Sequence, residues 1–257
     1  MKETLKKAIG GAVSRIAPQS DYSRCVFILA HMRCGSTALS NVFCSRPDFS
    51  GYGEAHIRYD DDTALGRLIV NQTLRRAWSP DATFLFDKIL HNRYDMDAQP
   101  HFFAANAVFM ARDPAEAIPS IRRLFKELGR EHEYPTDEDA ARYYIDRVEC
   151  LCALWSQFRP DRRVGLLHSD LMRDVDGTLA RLSKALNLKP MLENRYQSAT
   201  ASRRGGAGDP LESGAHVRIE ARKPPQRTAQ LELERSSADA AAAVFRRFKT
   251  VIGRRDE

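Results

Sequence analysis

The chain has 257 residues, 43% of them hydrophobic, and a formal net charge of +6. This length and apolar fraction suffice for one α/β core, so we expect a single domain. The basic charge suits an anionic ligand such as a nucleotide, or an anionic surface. Nucleic acid is not expected as a partner, because no nucleic-acid-binding motif occurs and the aromatic residues are not interleaved with the basic clusters.

Residues 1–20 predict an amphipathic helix that precedes an α/β domain at 21–257. Its apolar face consists of Leu5, Ile9, Val13 and Ile16. We expect this face to pack on the domain, and contact with an anionic membrane is the alternative. No run approaches the ~20 apolar residues of a spanning helix. Because the cysteine count of five is odd and no signal-peptide core is found, we expect a cytoplasmic protein with peripheral membrane contact left open.

An apolar run at 26–30 predicts the first strand, followed by a polar loop and a helix at 35–45. The N–H groups and dipole at such a helix N-terminus attract an anion. Arg33 adds a cation, while Ser36 and Thr37 add hydroxyls that can also cap the helix. The loop predicted to bind phosphate comprises Arg33, Cys34, Gly35, Ser36 and Thr37.

Three further apolar runs predict strands at 83–86, 107–111 and 164–168. Helical patterns alternate with these strands, which predicts βα units around a central parallel sheet flanked by helices. The remaining helices are expected at 63–78, 114–129, 136–158, 175–187 and near 236–250.

The strand at 107–111 leads directly into a second basic loop. Arg112 follows the strand, Asp113 suits the N-cap of the next helix, and Pro114 suits its first turn. Arg112 therefore lies at the carboxyl end of a strand, where open α/β sheets bind ligands. Pairing with a nearby carboxylate is the alternative role for Arg112. Pro119 is expected to kink or end the helix.

Together these motifs resemble those of sulfotransferases that use 3′-phosphoadenosine 5′-phosphosulfate (PAPS), a family with a P-loop-type sheet. Residues 32–37 match the family's Pro-Arg-x-Gly-Ser/Thr-Thr loop, with Met32 in place of proline, which implies a 5′-phosphosulfate site. Arg112-Asp113-Pro114 and Ser120 match the family's 3′-phosphate element. The segment 164–188 resembles a third, mostly structural element. The resemblance covers roughly residues 22–230.

This resemblance implies sulfuryl transfer from PAPS, without a metal, to a hydroxyl of a glycan, lipid or small-molecule acceptor. The alternative is a P-loop-type kinase or nucleotide hydrolase acting with ATP and magnesium. Such a protein needs a Gly-Lys pair in its phosphate loop, and no lysine follows Gly35.

The resemblance also implies a general base and a cation. Related carbohydrate sulfotransferases carry a glutamate just after the first helix, which here is Glu54. His56 lies on the same face if residues 53–57 are extended, and it is the rival base or orients Glu54. Lys88 resembles the family's strand-end lysine. His91 lies three residues after that lysine rather than two, which favours Glu54 over His91 as the base.

A glycine-rich basic loop occupies residues 202–210. It resembles the C-terminal loop that closes over the nucleotide in related sulfotransferases. In this interpretation Arg203 or Arg204 contacts the 3′-phosphate, and a flexible linker is the alternative.

Overall fold

The computed structural model describes residues 2–197, 216–221 and 233–253. Its described residues form one parallel sheet of five strands in the order β2-β3-β1-β4-β5. The strands are β1 (Cys25–Ala30), β2 (Phe49–Ser50), β3 (Phe84–Ile89), β4 (Asn106–Ala111) and β5 (Arg163–Leu167).

Helices connect the strands and pack on the sheet. They are α1 (Lys2–Ile16), α2 (Ser36–Cys44), α3 (Ala64–Leu74), α4 (Asn92–Asp95), α5 (Pro114–Glu127), α6 (Asp137–Trp155), α7 (His168–Arg173), α8 (Val175–Ala185) and α9 (Arg235–Gly253). Every residue of β1 and β4 is buried, as expected of parallel strands covered on both faces. The predicted α/β fold with a P-loop-type parallel sheet is confirmed.

The order of the strands determines where a ligand site can form. β1 lies between β3 and β4, and the chain proceeds to β2 and β3 on one side but from β4 to β5 on the other. The crevice at such a reversal, beyond the carboxyl ends of the strands, is the usual ligand site of open α/β sheets. The loops after β1 and β4, which contain Arg33 and Arg112, meet there.

The structure departs from the sequence-based element assignments at β3, β2 and α5. β3 continues through Lys88 to Ile89 rather than ending at Phe86, because the buried Asp87 carboxylate accepts hydrogen bonds. The two-residue strand β2 was not predicted, since it is too short to show a pattern. α5 runs through Pro119; the expected break is absent because a proline in the second turn removes only one hydrogen bond.

Helix α1 packs on α3 through small residues. Ser14 Oγ accepts the Gly66 N–H at 2.9 Å, and a Cβ on Gly66 would lie 1.8 Å from the Gly10 carbonyl oxygen. The division into an N-terminal helix at 1–20 and a domain at 21–257 stays a prediction.

None of the helices in the described residues has the length and apolar content needed to cross a membrane.

Candidate active site

The loop between β1 and α2 ends in a left-handed turn. Gly35, at the N-cap of α2, has a φ of 86° and makes no side-chain cap hydrogen bond. The predicted capping by Ser36 or Thr37 is therefore wrong, since both residues lie inside the helix. A Cβ on Gly35 would lie 2.9 Å from His168 Cδ2, so both backbone and space require glycine. The uncapped first turn leaves a helix N-terminus suited to an anion.

Cys34 lies within this loop but its side chain points away from solvent. The residue is fully buried, and burial raises the pKa of the thiol. The thiol is therefore neutral at physiological pH, and only its backbone can contribute to an anion site.

The two predicted basic loops are joined by direct hydrogen bonds. Arg33 Nε donates to the Ser120 hydroxyl at 3.0 Å, and Arg112 Nη1 donates to the Arg33 carbonyl at 3.2 Å. Residues taken from motifs more than seventy positions apart therefore surround one crevice. Charge-assisted donors at such a place suit phosphate recognition.

Arg112 also pairs with a nearby carboxylate, as the alternative interpretation of this residue predicted. Its Nη2 lies 2.8 Å from Glu116 Oε2, one helical turn away. The Arg112 side chain is 21% exposed, so the pair is open to the crevice. A bound phosphate would compete with Glu116 for this guanidinium, a relationship that the motif alone did not reveal.

The side chain of Lys88 connects the phosphate loop to the predicted base. Lys88 Nζ donates to Thr37 Oγ1 at 2.8 Å and lies 3.3 Å from Glu54 Oε1. Its side chain has no solvent exposure, so Lys88 is a buried residue and not a surface lysine at the strand end. A buried ammonium at the N-terminal turn of α2 adds positive charge where an anion is expected.

Glu54 lies between this cation and a histidine. Its Oε2 is 3.3 Å from His56 Nε2, and the carboxylate side chain is 12% exposed. Burial raises the pKa of Glu54, but Lys88 and His56 outweigh it and hold that pKa below its usual value. The segment 53–57 is not extended, since His56 has a φ of 56°. This left-handed residue turns the imidazole back towards Glu54.

A buried aspartate fixes the backbone that carries Glu54. Asp87 Oδ1 accepts the N–H groups of Ala55 and Lys88 at 2.8 Å each, and Oδ2 accepts the Tyr59 hydroxyl at 2.7 Å. Burial raises the pKa of Asp87 to about 7 although these donors act against it. Asp87 was not singled out from the sequence, where it read only as a neighbour of Lys88.

His91, the third base candidate, lies beside the same cluster. Its ring contacts Tyr94 and Tyr143. Burial lowers the pKa of His91 to about 4, so its imidazole is neutral near pH 7.

Two buried side chains tie the loop after β1 to its neighbours. His31 Nε2 accepts the Arg112 N–H at 2.9 Å, and Nδ1 lies 2.7 Å from the Met32 carbonyl oxygen. Tyr143 accepts the Met32 N–H at 2.9 Å and donates to the Leu90 carbonyl at 2.8 Å. Neither role was predicted, because the partners are distant in sequence.

A buried ion pair lies beneath the crevice. Arg147 makes a bidentate pair with Asp95, with both distances 2.7 Å. The same guanidinium donates to the carbonyls of Ala30 and Ile89 at 3.0 Å each, which are the last residues of β1 and β3. The end of β1 carries the loop with Arg33 and the end of β3 carries Lys88, so the pair fixes the separation of these two groups.

Two predicted residues cannot be placed. Arg203 and Arg204 lie outside the described residues, so their contact with a 3′-phosphate stays a prediction. Within the described ranges, no group of three or more His, Cys, Asp or Glu side chains is arranged to hold a metal ion.

Comparison with known proteins finds one matching family model. A family model described as the sulfotransferase family matches residues 55–192. This range contains Lys88, Arg112 and Ser120, whereas Glu54 and the phosphate loop precede it. A search of curated proteins found no match.

Several solved structures share the fold. The sulfotransferase domain from the curacin biosynthetic pathway aligns with a TM-score of 0.60 at 19% identity, covering 86% of this chain and 96% of that domain. The sulfotransferase domain of the Synechococcus PCC 7002 olefin synthase gives 0.53 at 18%, covering 90% and 97%. A sulfotransferase from Mycobacterium tuberculosis H37Rv gives 0.51 at 14%, covering 70% and 73%.

At these identities the structural matches establish the fold, whereas the family model establishes membership. It spans more than half of the chain and includes β3, β4 and the loop that contains Arg112. The chain belongs to the sulfotransferase family.

Proposed function

We propose that this sulfotransferase moves a sulfuryl group from PAPS to a hydroxyl of a glycan, lipid or small-molecule acceptor. The observation that carries the proposal is the position of Lys88, which contacts Thr37 at the N-terminus of α2 and Glu54 at once. This arrangement supplies a cation for the donor and a base for the acceptor within one cluster.

The donor would bind across the crevice between β1 and β4. The 5′-phosphosulfate lies at the uncapped N-terminus of α2, with Arg33 and the Thr37 hydroxyl as further donors. The 3′-phosphate lies at Arg112 and Ser120, displacing Glu116 from the guanidinium. Arg33 and Ser120 already contact each other, which supports one ligand bridging both loops.

In the transfer step the acceptor oxygen attacks sulfur, and its proton passes to Glu54. The bond between sulfur and the bridging oxygen breaks, and its electron pair stays on the 5′-phosphate of the product, 3′-phosphoadenosine 5′-phosphate. Lys88 stabilises the negative charge that grows on this leaving oxygen. Positioning and charge stabilisation supply most of the rate acceleration, by analogy with phosphoryl transfer.

Glu54 is the base that the electrostatics favour. Its lowered pKa keeps the carboxylate ionised near pH 7, ready to accept a proton. His56 then orients the carboxylate through its contact with Oε2. The imidazole of His91 is neutral near pH 7 and could also accept a proton, but its ring is packed between Tyr94 and Tyr143.

The test is transfer of radioactive sulfur from labelled PAPS to a panel of hydroxyl compounds, with and without a metal chelator. We expect labelled sulfate ester in both conditions, with equal yield. The kinase or hydrolase alternative predicts that the label stays in PAPS and that ATP, supplied separately, is consumed in the presence of magnesium. The family match does not favour that alternative.

A further inference from the structure

The outer face of α1 carries an exposed apolar stripe. Leu5, Ile9 and Ile16 are 61%, 44% and 79% exposed, and Ala12 between them is exposed as well. Spacings of four, three and four residues place all four side chains on one side of a helix. From the sequence we expected a face of Leu5, Ile9, Val13 and Ile16 to pack on the domain. Of these four residues, only Val13 packs against the core.

The opposite face holds α1 on the domain. Gly10 lies against Arg67 of α3, Ser14 accepts the Gly66 N–H, and Lys7 pairs with Asp61 at 2.8 Å. The helix is therefore anchored through one face while the stripe points away from the domain.

Charge around the stripe is positive. Lys6 and Arg15 flank the stripe, Lys7 lies on the face towards α3, and residues 4–16 contain no acidic side chain. The neighbouring acidic groups lie on the side that faces α3. Asp61 pairs with Lys7, and Asp62 lines a cavity together with Ser14.

The size of the stripe argues against a second copy of the chain as its occupant. Three partly exposed aliphatic side chains offer on the order of 300 Å² of apolar area. A stable protein interface buries about 800 Å² on each partner. Two copies would also bring like charges together. A bilayer can bind a smaller apolar face, because attraction between basic residues and anionic lipids adds to the affinity gained from the buried apolar area.

We propose that the stripe of Leu5, Ile9, Ala12 and Ile16 docks the protein on an anionic lipid bilayer. α1 then lies in the plane of the membrane–water interface, with its aliphatic side chains among the acyl chains. Lys6 and Arg15 contact the negatively charged headgroups. The contact is reversible, because one short helix face provides much less affinity than a spanning segment.

The test is co-sedimentation of the full chain with vesicles of phosphatidylglycerol and phosphatidylcholine, compared with vesicles of phosphatidylcholine alone. We expect binding to the anionic vesicles that exceeds binding to the neutral ones roughly tenfold and falls as salt rises. Absence of binding, or equal binding to both vesicles, would overturn the proposal.

Variants distinguish binding through the stripe from non-specific hydrophobic adsorption. The triple variant Leu5→Ser, Ile9→Ser and Ile16→Ser should lose at least about tenfold in bound fraction, with an unchanged melting temperature because these side chains are exposed. The control variant Met191→Ser with Val217→Ser removes two exposed side chains elsewhere and should bind as the wild type does. Equal binding by the triple variant, or a dimer in sedimentation analysis that the triple variant abolishes, would contradict a lipid occupant.

Discussion

Lys88 Nζ lies 3.3 Å from Glu54 Oε1 in a cluster shielded from solvent. The ion pair keeps Glu54 ionised, but it also makes the carboxylate a weaker base. An anionic phosphosulfate beside Thr37 would draw the ammonium towards itself. The pKa of Glu54 would then rise when the donor is bound, so that the base strengthens in the complex in which it is needed.

Replacing Glu54 by Gln should lower kcat by about 10²–10⁴-fold, because the amide cannot accept the acceptor proton. Affinity for 3′-phosphoadenosine 5′-phosphate, measured by calorimetry, should stay within about threefold, since Glu54 does not contact the phosphates. His56→Gln is the comparison variant, and we expect a smaller loss from it. Full turnover by Glu54→Gln would remove Glu54 from the mechanism.

Replacing Arg112 by Ala should weaken binding of 3′-phosphoadenosine 5′-phosphate by roughly 10–100-fold, the effect of losing a charge-assisted hydrogen bond. Adenosine 5′-phosphosulfate, which lacks the 3′-phosphate, should bind to wild type and variant alike. Glu116→Gln should bind the bisphosphate at least as tightly as wild type, because the competing carboxylate is gone. Equal losses for both nucleotides would move the 3′-phosphate site away from Arg112.

His31 predicts a specific acid sensitivity. Burial lowers the pKa of His31 from 6.5 to about 3, so the folded protein holds it neutral while the unfolded chain protonates it below pH 6.5. The free energy of unfolding should therefore fall by about 1.4 kcal/mol for each pH unit between roughly pH 6 and 4.5 through this residue.

Urea unfolding of wild type and His31→Gln over this pH range isolates the effect of His31. Other groups, including His91, titrate in both proteins and cancel in the difference. The wild type should lose stability faster than the variant as pH falls. Parallel curves would show that His31 takes up its proton at the same pH in the folded and in the unfolded protein.

Removing one partner of the Arg147–Asp95 pair should strongly destabilise the protein. Asp95→Ala leaves a buried guanidinium unpaired, which costs about 3–5 kcal/mol in the free energy of unfolding. Asp161→Ala breaks the pair with Arg159, whose side chains are 66% and 61% exposed, and should cost less than about 1 kcal/mol. Urea unfolding measures both, and similar small losses would contradict a clamping role for Arg147.

Local patterns were sufficient to predict the main strands and both basic loops. Apolar runs at β1 and β4 are continuous because both faces of these strands are buried, and the predicted N-cap Asp113 accepts the expected backbone hydrogen bond. These features depend on residues that are neighbours in the chain, so the sequence carries them directly.

Contacts between distant residues could not be predicted in the same way. Asp87 on β3 accepts the N–H of Ala55, which lies in the loop after β2. Tyr143 joins the loop after β1 to the end of β3. Whether a polar residue is buried depends on what the fold places beside it, and no local pattern reports that.

The most direct test of the account is calorimetric titration with 3′-phosphoadenosine 5′-phosphate and with ATP, each with and without magnesium. We expect tight binding of the bisphosphate that is independent of magnesium, and much weaker binding of ATP. Preference for ATP in the presence of magnesium would contradict the donor site proposed between β1 and β4.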